Sequence, residues 1–120
     1  MLKPLALFAL AFSIAEDSTG PIPLNCNRAC LENVIRTYLT AMAAHSPAMT
    51  PLSADVLYTE NDQQIPVGEA TWKTLEGLGN YTHVFADPEG GQVAFMGTLR
   101  EAGGPILASV RCVLQRGAEK

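Results

Sequence analysis

An α+β fold is predicted for this chain by three observations. One apolar stripe with helical spacing runs from Leu31 to Met42. Past residue 80 the periodicity switches to strict alternation, in segments separated by Gly- and Pro-rich turns. The helical signals come first and the strand signals after, the order expected of helices packed on one face of a curved antiparallel sheet.

The chain has 120 residues, of which 48% are hydrophobic and 17% charged, which suits one small domain and leaves no room for a second. Residues 1–15 are read as a secretory signal peptide. Lys3 supplies a positive start, Leu5 to Ile14 an unbroken apolar run, and Ser13-Ile14-Ala15 the small residues of a cleavage site. A buried helix or a membrane anchor is the competing reading, but the run falls short of the ~20 residues a bilayer requires. No later segment is apolar enough to span, so no membrane association is expected once the signal is removed. The net charge is −4 and becomes one unit more negative when Lys3 is lost. The absence of any Lys/Arg run or basic patch excludes nucleic acid as a partner.

Cys26, Cys30 and Cys112 would then enter an oxidising compartment. A local Cys26–Cys30 bridge is feasible if Cys26 lies just outside the helix. Cys112 could instead pair with either, and one thiol is left over in each case. With only two histidines, neither near the cysteines, the spacing does not suit a metal site. Asn80-Tyr81-Thr82 matches a glycosylation sequon.

Residues 16–24 form a linker, where two prolines and a glycine forbid helix. Residues 25–120 form the domain. Asn25 or Asn27 can cap the first helix. Leu31, Val34, Ile35, Tyr38, Leu39 and Met42 share its apolar face, and it stops near His45 because Pro47 disfavours helix before it. A short strand is expected over Val56–Glu60, a turn at Asn61–Gln64, and an extended piece at Ile65–Gly68. A second helix is expected over Glu69–Leu78, ended by Gly77 or Gly79. Strands then follow at Tyr81–Ala86, Gln92–Arg100 and Ile106–Leu114. They are joined by turns at Asp87–Gly91 and Glu101–Pro105, giving an antiparallel meander.

The helix end Tyr38-Leu-Thr-Ala-Met-Ala-Ala-His45, the segment Ala54-Asp-Val-Leu-Tyr-Thr-Glu-Asn61, the helix start Gly68-Glu-Ala-Thr-Trp72 and the two hairpins together carry a resemblance. In this order they resemble the SnoaL-like and ketosteroid-isomerase-like proteins of the nuclear transport factor 2-like superfamily, over most of residues 25–120. The resemblance implies a cone-shaped sheet around an apolar pocket closed by helices. It also implies a tyrosine on the first helix and a carboxylate base on the next strand, places to which Tyr38 and Glu60 fall close. The chain departs from the pattern twice. It stops at Gln115–Lys120 where the family usually adds a long strand, which implies a fold lacking its last strand. It also has no acid between Ile106 and Leu114, where the steroid isomerases place a protonated carboxylic acid.

Glu60 is the candidate base. A carboxylate at the mouth of an apolar cavity is disfavoured in its charged form, which equips it to move protons next to a carbonyl. The alternative is a solvated carboxylate at a strand end. Tyr38 is core in its ring, and its hydroxyl is either an oxyanion donor or an ordinary buried group. His83 shares a strand face with Tyr81 and Phe85. It is a second acid/base if that face is concave, and otherwise a half-exposed strand histidine. Tyr58, Trp72, Phe85, Phe95 and Arg111 are the candidate substrate contacts. Trp72 reads more readily as a core anchor than as a ligand platform, and Arg111 is alternatively a surface charge. Asp87 is read as holding its turn and His45 as supporting the helix end.

The signal peptide predicts a secreted domain, and the resemblance implies that it binds a small apolar molecule. The resemblance implies a cofactor-free isomerase or cyclase acting by proton transfer on a polyketide- or terpenoid-like carbonyl compound of secondary metabolism. The rivals are a non-catalytic ligand-binding module, a homodimer formed through the open sheet face, and an inactive fragment. The cleavage site carries a direct prediction: N-terminal sequencing of secreted material should begin at Glu16, and a start at Met1 would overturn the signal assignment.

Overall fold

The computed structural model describes residue 22 and residues 25–114. The signal peptide over residues 1–15, nearly all of the linker, and residues 115–120 lie outside the described residues. In chain order the elements are α1 (Arg28–Ala43), a 3₁₀ turn (Pro47–Met49), β1 (Thr59–Glu60), β2 (Gln63–Gln64), α2 (Thr71–Thr74), β3 (Leu75–Asp87), β4 (Gln92–Glu101) and β5 (Gly104–Val113). Strands β3, β4 and β5 form an antiparallel meander, and β1 pairs β2 in a separate hairpin. The outcome is the α+β class: one long helix packed on one face of a three-stranded antiparallel sheet.

α1 begins where the sequence allows. Asn27 is extended, and its side chain accepts from the Cys30 backbone N–H at 3.0 Å, satisfying one of the unpaired donors of the first turn. Cys26, just outside the helix, is bridged to Cys30 across a Cα–Cα distance of 5.1 Å. This resolves the three pairings left open by the sequence and leaves Cys112 as the free thiol.

The other end closes on a left-handed residue. His45 adopts φ 59°, with its N–H bonded to the Met42 carbonyl, and the Ser46 N–H reaches back to the Ala41 carbonyl. That pair of bonds is the Schellman closure that usually takes glycine at the His45 position. The imidazole compensates, because Nδ1 lies 2.7 Å from the Trp72 carbonyl oxygen. A carbonyl only accepts, so Nδ1 carries the hydrogen. His45 therefore supports the helix end, as expected, and also ties it to α2.

The apolar stripe is buried. Leu31, Ile35, Leu39, Ala41 and Met42 pack with Trp72, Leu75, Val93, Phe95 and Leu99 in one core, and Val34 and Tyr38 border it. In β4, Val93, Phe95 and Leu99 point to α1 while Met96 is exposed, matching the predicted alternation. Gly97 lies on the inner face, where a Cβ would run into the Tyr81 carbonyl and the Phe95 ring. The Asp87 turn also matches, with Oδ1 accepting from the Gly90 N–H at 3.1 Å.

Two expectations fail. The helix expected over Glu69–Leu78 is the single turn α2, and β3 takes over at Leu75. Gly77 and Gly79 interrupt the stretch, and pairing with β4 offers more than a short helix of low propensity could. The strand expected over Val56–Glu60 shrinks to Thr59–Glu60, with Leu57 65% exposed. Its partner comes from the expected turn. Asn61 and Asp62 both take positive φ, 53° and 67°, which makes a two-residue hairpin of Asn61–Gln64.

Truncating Leu39 to alanine should cost ~2–5 kcal/mol in urea unfolding, because it removes a side chain only 2% exposed at the helix–sheet junction. A loss under ~0.5 kcal/mol would mean that α1 does not pack as described.

Candidate functional site

Glu60 ends β1 and faces the start of α2. Three donors converge on its carboxylate. The Tyr58 hydroxyl donates to Oε1 at 3.2 Å, the Thr71 backbone N–H donates to Oε1 at 3.3 Å, and the Thr71 hydroxyl donates to Oε2. The hairpin turn at Asn61-Asp62 and the short α2 fix the two sides of this arrangement. Chemically, it is a carboxylate clamp on a helix start, with the Tyr58–Glu60 contact set by the i, i+2 spacing of residues sharing one side of an extended chain.

Tyr38 of α1 completes the neighbourhood. Its ring meets Trp72 edge-on, with centroids 5.4 Å apart and planes at 84°. Burial holds its hydroxyl proton well above the usual tyrosine range, and the charges that Cys112, Tyr58 and Glu60 would carry raise it further. The Trp72 indole offsets part of this rise. Its Nε1 nevertheless makes no hydrogen bond of good geometry and is left unpaired in the core. The Tyr58 hydroxyl is also raised, by burial first, then by the Glu60 charge and by its bond to Glu60, against a lowering contact from Thr71. Burial pushes the Cys112 thiol up to about 12. At neutral pH the two tyrosines are therefore donors. The fold has brought Tyr38, Tyr58, Trp72 and Glu60 together from across 34 positions of sequence.

An open groove of about 400 Å³ lies beside this cluster, lined by Glu60, Asn61, Gln63, Ile65, Ala70, Thr71, Thr74 and Glu101. It differs from the enclosed apolar pocket that the sequence led us to expect. Its walls are mixed, and the Thr74 hydroxyl bonds Glu101 across it. Among the described residues no group of three or more His, Cys, Asp or Glu is placed to hold a metal.

The remaining candidates lie elsewhere. His83, Phe85 and Arg111 fall on the outer face of the sheet, opposite α1. The pairing His83–Met96–Ser109 sets that face, and its neighbour Val84–Phe95–Val110 sets the inner one. His83 stacks on Phe85 at 4.4 Å, its Nδ1 lies 3.5 Å from the Tyr81 hydroxyl, and Arg111 donates to Gln92 at 3.2 Å. The Tyr81–Phe85 face is thus the open one, and the fold does not bring His83 to Glu60. Phe95 is on the inner face but fully buried in the core. Asn80 of the sequon is exposed in β3. Sequence reasoning missed Thr71 and Glu101. Thr71 was legible as a polar residue at a helix start, but Glu101 needed the β3–β4 pairing to reach the groove.

No protein-family model, curated protein or solved structure matches this chain. No helix among the described residues is long and apolar enough to cross a membrane.

The raised tyrosine and thiol values set a pH dependence. A group whose folded pKa is raised contributes stability that is fully present below its unfolded value and lost as pH climbs through the folded one. Stability should therefore fall as pH rises past ~9–10, the ordinary thiol and tyrosine range. Tyr38→Phe should lessen the fall. Urea midpoints at alkaline and neutral pH check this, and equal alkaline losses in both proteins would contradict the buried hydroxyl.

Proposed function

We propose that this chain is a secreted, SnoaL-like small-molecule-binding domain whose ligand enters at the Glu60 groove. The ligand is a small, largely apolar compound with a carbonyl, of polyketide- or terpenoid-like character. Glu60, the member of the cluster that lines the groove, is the acceptor for a proton on the carbon next to the carbonyl, and Tyr38 behind it is the donor assigned to the carbonyl oxygen. The observation that supports this is the convergence of two protonated tyrosines, a buried tryptophan and one carboxylate beside an open groove. The resemblance of the Tyr38 helix and the Glu60 strand to the isomerase-like group adds the reaction class: cofactor-free isomerisation or cyclisation by proton transfer.

One observation favours a purely binding form of the same site. Three donors already occupy the Glu60 carboxylate, and two of them come from Thr71, so the carboxylate also serves to hold α2 in place. Binding without turnover then remains, with Glu60 as a positioning residue.

Both forms are tested with a cyclic β,γ-unsaturated ketone in D₂O, following deuterium exchange at the α-carbon by NMR and affinity by titration calorimetry. In the catalytic form Glu60→Gln abolishes exchange, because Gln cannot take a proton near neutral pH. Tyr38→Phe slows exchange by ~10²–10³. In the binding form no exchange occurs and Glu60→Gln weakens affinity. Unchanged exchange and unchanged affinity in both variants would remove the groove as the ligand site.

A further inference from the structure

The sheet has two edges of different character. β3 is interrupted twice, by register shifts between Leu75 and Gly77 and between Leu78 and Thr82. In the second break the Tyr81 N–H is bound by the Thr98 hydroxyl at 3.0 Å. Such bulges blunt an edge against pairing. β5 has none of this protection. It pairs with β4 in unbroken register from Gly104 to Val113, carries Arg111 as its only charge, and no strand among the described residues pairs with its far side.

The register also says which groups face outward. The Leu114 N–H bonds the Gly91 carbonyl at 2.8 Å, so the even-numbered residues of β5 direct their N–H and C=O toward β4. The odd-numbered residues Leu107, Ser109, Arg111 and Val113 therefore present theirs to the free edge. Pro105, which has no N–H, sits before this run. The strand's side chains are unfinished as well. Leu107 is 84% and Val113 62% exposed on the outer face, while Ile106, Ala108, Val110, Cys112 and Leu114 remain only partly buried at the margin of the core.

We infer that β5 pairs edge to edge with β5 of a second copy, antiparallel about Val110, to form a continuous six-stranded sheet. This register satisfies each set of groups at once. Leu107 faces Val113 of the second copy, and Ser109 faces its Arg111. Both are pairs that exchange two N–H···O bonds, and the twofold axis repeats them. On the outer face the two most exposed aliphatic side chains of the strand meet. On the inner face Ile106 meets Leu114, Ala108 meets Cys112 and Val110 meets itself, so each copy completes the margin of the other's core. Pro105 falls outside the ladder, where its missing donor costs nothing. A register centred one residue earlier would place Pro105 against Val113 and Leu107 against Arg111, losing a donor and the aliphatic pair. A second copy fits this edge because the strand is complementary to itself under a twofold, which an arbitrary extended peptide is not.

Sedimentation equilibrium on the full chain tests this, with two variants of opposite expected effect. Ser109→Pro deletes an edge-facing donor without touching the β4 ladder, and its dissociation constant should rise at least about tenfold. Met96→Lys charges the outer face at the central strand and should leave the dimer intact. A wild-type monomer at all concentrations, or a dimer broken by Met96→Lys and not by Ser109→Pro, would overturn the inference. Should Ser109→Pro lose its far-UV circular dichroism, hydrogen exchange on the wild type decides. The amides of Leu107, Ser109, Arg111 and Val113 should gain protection at dimer-forming concentration, and a dimer that leaves them unprotected refutes edge pairing.

Discussion

The burial of Trp72 of α2 against α1 is the joint on which the other features of this domain depend. Only 1% of the residue is exposed. Its ring takes the edge of Tyr38, its carbonyl takes the His45 imidazole, and the residue before it, Thr71, grips Glu60. Two residues after Trp72, α2 ends, and β3 begins at the next position. The Thr71-Trp72 pair thus joins the helix C-terminus, the start of the sheet and the carboxylate. A single turn of helix has no stability of its own, so α2 exists because Trp72 is docked. The indole N–H has no well-formed partner, so the side chain is held chiefly by apolar burial, while the backbone carbonyl of Trp72 supplies the hydrogen bond to His45.

Much of the fold was legible because its signals are local. The helical stripe over Leu31–Met42, the Asn27 cap, and the Pro- and Gly-marked turns each follow from a few adjacent residues. The alternation of Val93, Phe95 and Leu99 against Ala94, Met96 and Thr98 separated the two faces of β4. What could not be read was decided by partners distant in sequence. Leu75–Leu78 has helical spacing, yet β4 recruits it as strand. Val56 and Leu57 look like a strand but find no partner. The disulfide was undecidable from spacing alone, and it became fixed once Asn27 placed Cys26 outside the first turn.

The site was half legible for the same reason. Tyr38 and Glu60 were paired only through the resemblance, and α2 brings them into one neighbourhood through Trp72 and Thr71. Thr71, the residue that holds Glu60 by two bonds, was invisible as a partner because the contact spans eleven positions. His83 and Phe85 were placed on one face correctly, but which face α1 covers depends on the burial of Phe95 across the sheet. The division of the sheet into a packed inner face, a bulged β3 edge and an open β5 edge leaves the Glu60 groove and the β5 edge as independent features of one small domain.

The most direct test of this arrangement is a double-mutant cycle on the Tyr38–Trp72 contact, using Tyr38→Leu, Trp72→Leu and the double variant in urea unfolding. Edge-to-face docking predicts that the double variant loses ~0.5–1.5 kcal/mol less than the sum of the two single losses, because each single variant already gives up the contact. Additivity within ~0.3 kcal/mol would contradict it, since residues that do not touch do not couple.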